Sequence, residues 1–149
     1  MTAQEKFRYL EPNRGHLLFG KGIAWLTRRG VSVWGSRVLS VRGRKSGEMR
    51  SVPVNLLPFE GEQYLVAARG VAHWVRNLRV AGEGELRVGR HVQGFTATEL
   101  SDDDKPAVLR AYLKRWKFEV GMFFDGVDDK ASDEELRRIA PGYPVFRIR

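Results

Sequence analysis

Cysteine is absent from all 149 residues. Disulfides, thiolate nucleophiles and zinc–thiolate centres are thereby excluded. Histidine is scarce as well. His16, His73 and His91 form no spaced ligand cluster, so no catalytic metal is expected. No run of about 18 uncharged apolar residues occurs, which leaves no candidate for a membrane-spanning helix. The opening residues, MTAQEKFRYLEPNRG, lack an apolar signal core, and a cytoplasmic protein is expected.

Acidic residues are scarce in one region only. Residues 1–58 hold 11 Lys+Arg against 3 Asp+Glu, whereas 59–100 hold 5 of each and 101–149 hold 10 of each. The whole net charge of +8 therefore lies in the first part of the chain. A local field of this kind recruits a small polyanion as readily as a nucleic-acid duplex. Single-strand binding would need aromatics on the same face as the cations, and Trp34 is the nearest. No nucleic-acid partner is expected. With 42% apolar residues, one packed domain over 1–149 is expected, behind a loose lead-in over 1–13.

The basic excess is densest in VRGRKSGEMRSVPVNLL, residues 41–57. Arg42, Arg44, Lys45 and Arg50 fall within nine residues there, beside Gly43, Ser46 and Gly47. Glycine lets the backbone turn sharply and present its N–H groups at close range. Together with a hydroxyl and several cations, this is the donor set that a phosphate needs. A solvated surface turn accounts for the same composition. The spacing is not that of a Walker loop, so a nucleoside-triphosphate site is disfavoured.

Around this turn, period-two runs predict strands over 31–42, 50–57, 63–69, 85–89 and 91–100, and a last strand in the tail. Pro53 marks an edge, a bulge or a place where something other than a strand approaches, because it cannot donate to a ladder, and Gly94 reads as a bulge. Helices are expected over 14–29, from His73, from Ser101 and from Ser132. The first is a core-packing helix or a basic amphipathic segment that touches a membrane surface. The fold class is thus α+β, mainly β, built on a small antiparallel barrel or strongly bent sheet. In the second helix, Trp74, Asn77 and Leu78 share one face, and a buried Asn there needs a partner for its amide.

GRKSG, then Arg50 and Val52-Pro53, then Ala67-Ala68-Arg69-Gly70, then Trp74-x-x-Asn77-Leu78 occur in that order. Over about residues 35–100 the chain resembles the deazaflavin-dependent nitroreductase family. The resemblance implies a split β-barrel of the flavin-reductase type, flanked by helices, that uses coenzyme F420. It implies that Arg44, Lys45, Ser46 and Gly47 hold the coenzyme phosphate. It further implies that Arg50, Val52, Pro53, Ala67, Ala68 and Arg69 line the coenzyme, and that Trp74 and Asn77 belong to the helix packed on the deazaflavin side. The implied activity is hydride transfer from reduced coenzyme F420 to a small organic acceptor such as a quinone, nitroaromatic or activated enone. FMN is the alternative cofactor, since related split barrels use it. An edge strand and several aromatics leave room for a homodimer. Tyr112, Trp116, Phe124 and Tyr143 are read as core.

Overall fold

The computed structural model describes residues 36–120, 124 and 127–149. The expected helix over 14–29, its membrane contact and the start of the first strand lie outside them. Among the described residues no helix is long and apolar enough to cross a membrane.

Six strands, β1 (Ser36–Arg42), β2 (Met49–Phe59), β3 (Glu62–Val66), β4 (Glu83–Val88), β5 (His91–Glu99) and β6 (Val145–Ile148), close into a barrel. Their order around it is β1-β2-β3-β6-β5-β4, and every neighbouring pair is antiparallel. Tight hairpins set the register. Glu60 and Gly61, both at positive φ, form the two-residue β2–β3 turn, with Phe59 opposite Glu62. Gly89 at φ 59° opens the β4–β5 turn. Left-handed central residues match the twist of the flanking strands.

The barrel interior is filled by Leu39, Val41, Leu56, Leu65, Leu86, Phe95, Phe146 and Ile148. A second cluster lies on the outer face of β2, β3 and β6. There Leu57, Val66 and Val145 pack against α2 (Pro106–Val120) and α3 (Asp133–Ile139). The expected core aromatics Tyr112, Trp116, Phe124 and Tyr143 all belong to this cluster, with Phe124 and Tyr143 stacked at 4.1 Å. β3 and β6 are therefore covered on both faces, so Val145 is as buried as Phe146 and the tail departs from simple alternation.

Three local expectations are corrected. Gly94 makes no bulge: β4 and β5 pair without interruption from Glu83↔Thr96 to Val88↔His91, so no extra residue is accommodated. The third strand ends at Val66 rather than at 69, because the Ala67 N–H turns to the Pro144 carbonyl and Gly70, at φ 90°, bends the chain away. Ser101 does not cap a helix. Its hydroxyl donates to Asp104 within a 3-10 turn (Asp102–Asp104), and α2 begins afterwards at Pro106, whose missing N–H costs nothing in a first turn. Ser132 does cap α3, accepting from the Glu135 N–H at 3.1 Å.

The helix α1 (His73–Ala81) positions the site. Val75 and Leu78 enter the barrel cluster, and the helix packs against β1 and β4. Gly82, left-handed at φ 70°, stops it by donating to the Leu78 carbonyl. On its outer side Arg79 makes a two-pronged ion pair with Glu99 of β5, at 2.8 and 2.7 Å. The hydrogen bond to that carboxylate holds the Arg79 pKa above its ordinary value.

Candidate functional site

Gly43 to Glu48 form the turn between β1 and β2, and the turn is bonded mainly to itself. The Gly43 N–H donates to the Glu48 carbonyl at 2.7 Å, and the Gly47 N–H donates to the Gly43 carbonyl at 2.9 Å. The Glu48 N–H reaches the Ser46 hydroxyl, and the Arg42 guanidinium donates to the Gly47 carbonyl. Two glycines make this possible. A Cβ on Gly43 would stand 2.8 Å from Ser46 Oγ, and Gly47 sits at φ +74°.

A further tie leaves the turn. Asn77 Oδ1 accepts from both the backbone N–H of Arg44, at 3.1 Å, and its Nη1, at 2.8 Å. The amide that needed a buried partner finds it here, and Asn77 is 5% exposed. Lys45 forms no hydrogen bond or ion pair among the described residues, and its side chain is exposed. The Arg50 side chain, 63% exposed, has Glu48 as its one ion-pair partner among the described residues, at 3.8 Å.

Turn, helix and the adjoining ends of β1 and β2 line a half-open cavity of ≈ 460 Å³. Seven of the twelve predicted residues line it: Arg44, Lys45, Ser46, Arg50, Val52, Trp74 and Asn77. The other five do not. Gly47 is at the exposed tip of the turn, and Pro53 is exposed on the half of β2 that pairs with β1 alone. Ala67 is buried in the barrel, Ala68 packs against the outer cluster and Arg69 is half-buried. Gly43, which the sequence places in the turn, lines the cavity as well, and sequence reasoning missed Val41, Ser51, Ala72 and His73. Val41 and Ser51 were recoverable: Val41 pairs with Arg50 across the β1–β2 ladder, and Ser51 stands between Arg50 and Val52 on β2 itself. Ala72 and His73 begin α1 next to Trp74, and only the fold brings them to the turn.

The lining of the cavity is chemically mixed. Arg44, Lys45 and Arg50 contribute three cations to it, and Val41, Val52, Ala72 and Trp74 contribute apolar surface. That donor set suits a group with an anionic end and a flat apolar ring.

A family model described as F420H(2)-dependent quinone reductase matches residues 26–120. The chain belongs to that family. It is accordingly an oxidoreductase that depends on reduced coenzyme F420, with the split-barrel fold the motifs implied. Solved structures share that fold at low identity. The reductase FDR-A, dependent on reduced F420, superposes with a TM-score of 0.54 at 18% identity, over 77% of this chain and 94% of its own. A domain-swapped dimer superposes at 0.56 with 19% identity, over 87% and 92%. General Stress Protein 26 of Bacillus anthracis gives 0.51 at 12%, over 87% and 84%. No curated protein matches the chain significantly.

Proposed function

We propose that this family member passes reducing equivalents from coenzyme F420 to a small organic acceptor at the cavity between the basic turn and α1. Quinones are the leading class, and nitroaromatics and activated enones are the others. The observation that carries this reading is the meeting of three cations with the Val52–Trp74 wall in one cavity. When bound, the reduced deazaflavin supplies the hydride. The chain's own residues bind, orient and shield. Arg44 and Lys45, with the Ser46 hydroxyl, would hold the phosphate through charge-assisted hydrogen bonds. Val52 and Trp74 would lie against the ring system and keep water from it. The family name favours quinones, and an acceptor of this kind requires little more than an apolar slot beside the ring.

Titration of the protein with coenzyme F420, FMN and NADPH side by side tests the reading. Coenzyme F420 should bind tightest. Lys45→Ala should weaken its binding by roughly 1–3 kcal/mol, the scale of a lost charge-assisted hydrogen bond. Thermal stability should hold, since Lys45 has no partner to lose among the described residues. Tighter binding of FMN than of coenzyme F420, or an unchanged affinity in Lys45→Ala, would reject the assignment.

A further inference from the structure

We infer that Asn77 is a positioning residue, which acts on the coenzyme through Arg44 rather than by touching it; this rests on the phosphate role proposed above for the turn. The turn's own hydrogen bonds close on itself and on Arg42 of β1. Among the described residues, only Arg44 bonds from the turn to α1, and both of its bonds end on one oxygen of Asn77. That oxygen fixes two things at once. The backbone bond at 3.1 Å sets where the turn sits over α1, and the side-chain bond at 2.8 Å sets where the guanidinium points.

The consequence is a division of labour between neighbouring cations. Lys45 is exposed and free to swing, and so acts as a point charge. Arg44 is half-buried and tethered, and its Nε and Nη2 have no partner among the described residues. A tethered guanidinium has already lost much of the rotamer freedom that binding would otherwise remove. The identity of the tether matters too. An amide oxygen accepts both bonds without bringing charge, so Arg44 is oriented and its positive field stays intact. A carboxylate in its place would hold Arg44 equally well and cancel that field. Asn77 itself is anchored by α1, whose Val75 and Leu78 are fixed in the barrel core and whose Arg79 is clasped by Glu99.

A double-mutant cycle with Asn77→Leu and Arg44→Met tests this, read by coenzyme F420 titration. Hydrogen exchange at the Arg44 amide is followed in the coenzyme-free protein. Each single variant should weaken binding about tenfold, the scale of one such hydrogen bond, and the double variant should bind no worse than either single. The Arg44 amide should exchange faster in Asn77→Leu. In Asn77→Asp it should stay as protected as in the wild type, while coenzyme affinity still falls. Two multiplying losses in the cycle would mean that Asn77 meets the coenzyme directly, and would overturn the inference. An Arg44 amide that is indifferent to Asn77→Leu would overturn it as well. Should Asn77→Leu not fold, the Asn77→Asp pair of readouts decides: lost protection, or unchanged affinity, refutes positioning. If the wild type does not bind coenzyme F420 at all, the proposed function fails, and the exchange measurement still decides whether Asn77 holds Arg44.

Discussion

Replacing Gly43 by alanine puts one methyl group inside the smallest ring of the site. Its Cβ would stand 2.8 Å from Ser46 Oγ, 3.2 Å from the Glu48 carbonyl oxygen and 3.6 Å from Arg50 Cγ. Ser46 can rotate away, but its hydroxyl then releases the Glu48 N–H, a loss of about 0.5–1.5 kcal/mol. The carbonyl of Glu48 cannot retreat freely, because Gly43's own N–H holds it at 2.7 Å. Stretching that bond and crowding the turn add about 1 kcal/mol more. The sum, roughly 2 kcal/mol, falls on the turn alone and has two outlets. If the turn stays closed, thermal unfolding drops by about 4–8 °C for a chain of this size. If it opens locally, stability is spared, and coenzyme binding must re-form it at a cost of up to about 30-fold in Kd. Calorimetry and coenzyme titration on the same variant separate the outlets. Gly47→Ala is the control: nothing lies within 4 Å of its Cβ, so only the left-handed backbone, about 1–2 kcal/mol, resists it. A Gly43→Ala protein with unchanged melting temperature and unchanged Kd would refute the picture of a closed, rigid turn.

Lys105 is 3% exposed and donates to Asp102 at 2.7 Å and to the Ala140 carbonyl at 2.9 Å. Lys105→Met should cost about 1.5–3 kcal/mol by removing the charge-assisted bonds to Asp102 and to the Ala140 carbonyl, which keeps only the Tyr143 N–H, with coenzyme affinity untouched, as thermal unfolding and titration will show. The hydrogen bond from Arg149 holds the Glu62 pKa below the ordinary value, helped by the charges of Arg149 and Arg147. A depressed carboxylate stabilises the fold above its unfolded pKa of about 4.3 and loses that contribution as pH falls through the folded value. Unfolding curves of wild type and Glu62→Gln should therefore differ at neutral pH and converge in acid. The family resemblance implies a coenzyme that ends in a chain of glutamates, which cations outside the phosphate site such as Arg50 and Arg69 would guide. Forms with longer chains should then bind more tightly at low ionic strength, with an advantage that salt erodes and that FMN does not share, and equal affinity for short and long chains at low salt would refute that role.

The β-barrel was legible because each hairpin announces itself locally. Glu60-Gly61 and Gly89-Arg90 both sit between period-two runs, and the strands around them fall where that pattern places them. What the pattern misreads are residues whose surroundings come from afar. Val145 looks like the outward half of an alternating tail, yet α2 and α3 cover it. Gly94 looks like a bulge, because glycine in a strand often marks one, and it is simply an exposed position paired with Glu85. Ser101 and the three aspartates satisfy the composition of a helix start, but Pro106 fixes the first helical residue further on, and the acidic run closes into a 3-10 turn. No local signal marks the break at Trp116 (φ −123°, ψ 20°).

The cavity shows the same division on a smaller scale. Composition singles out the basic turn, and the spacing Trp74-x-x-Asn77 singles out the helix, but neither says which donors remain free once the two meet. A glycine-rich basic loop reads as a cradle of backbone N–H groups. In the folded chain the N–H groups of Gly43, Arg44, Gly47 and Glu48 are spent, three within the turn and one on Asn77, and those of Lys45 and Ser46 have no acceptor among the described residues. What this turn keeps for an anion is therefore two backbone N–H groups and side-chain charge: a tethered guanidinium, an exposed ammonium and Arg50. The share of recognition that rests on the cations is sensitive to ionic strength, because exposed charges are screened over about 8–10 Å. It also ties affinity to the orientation of Arg44. A single neutral oxygen on α1 thus governs how much of the turn's positive charge is aimed rather than merely present.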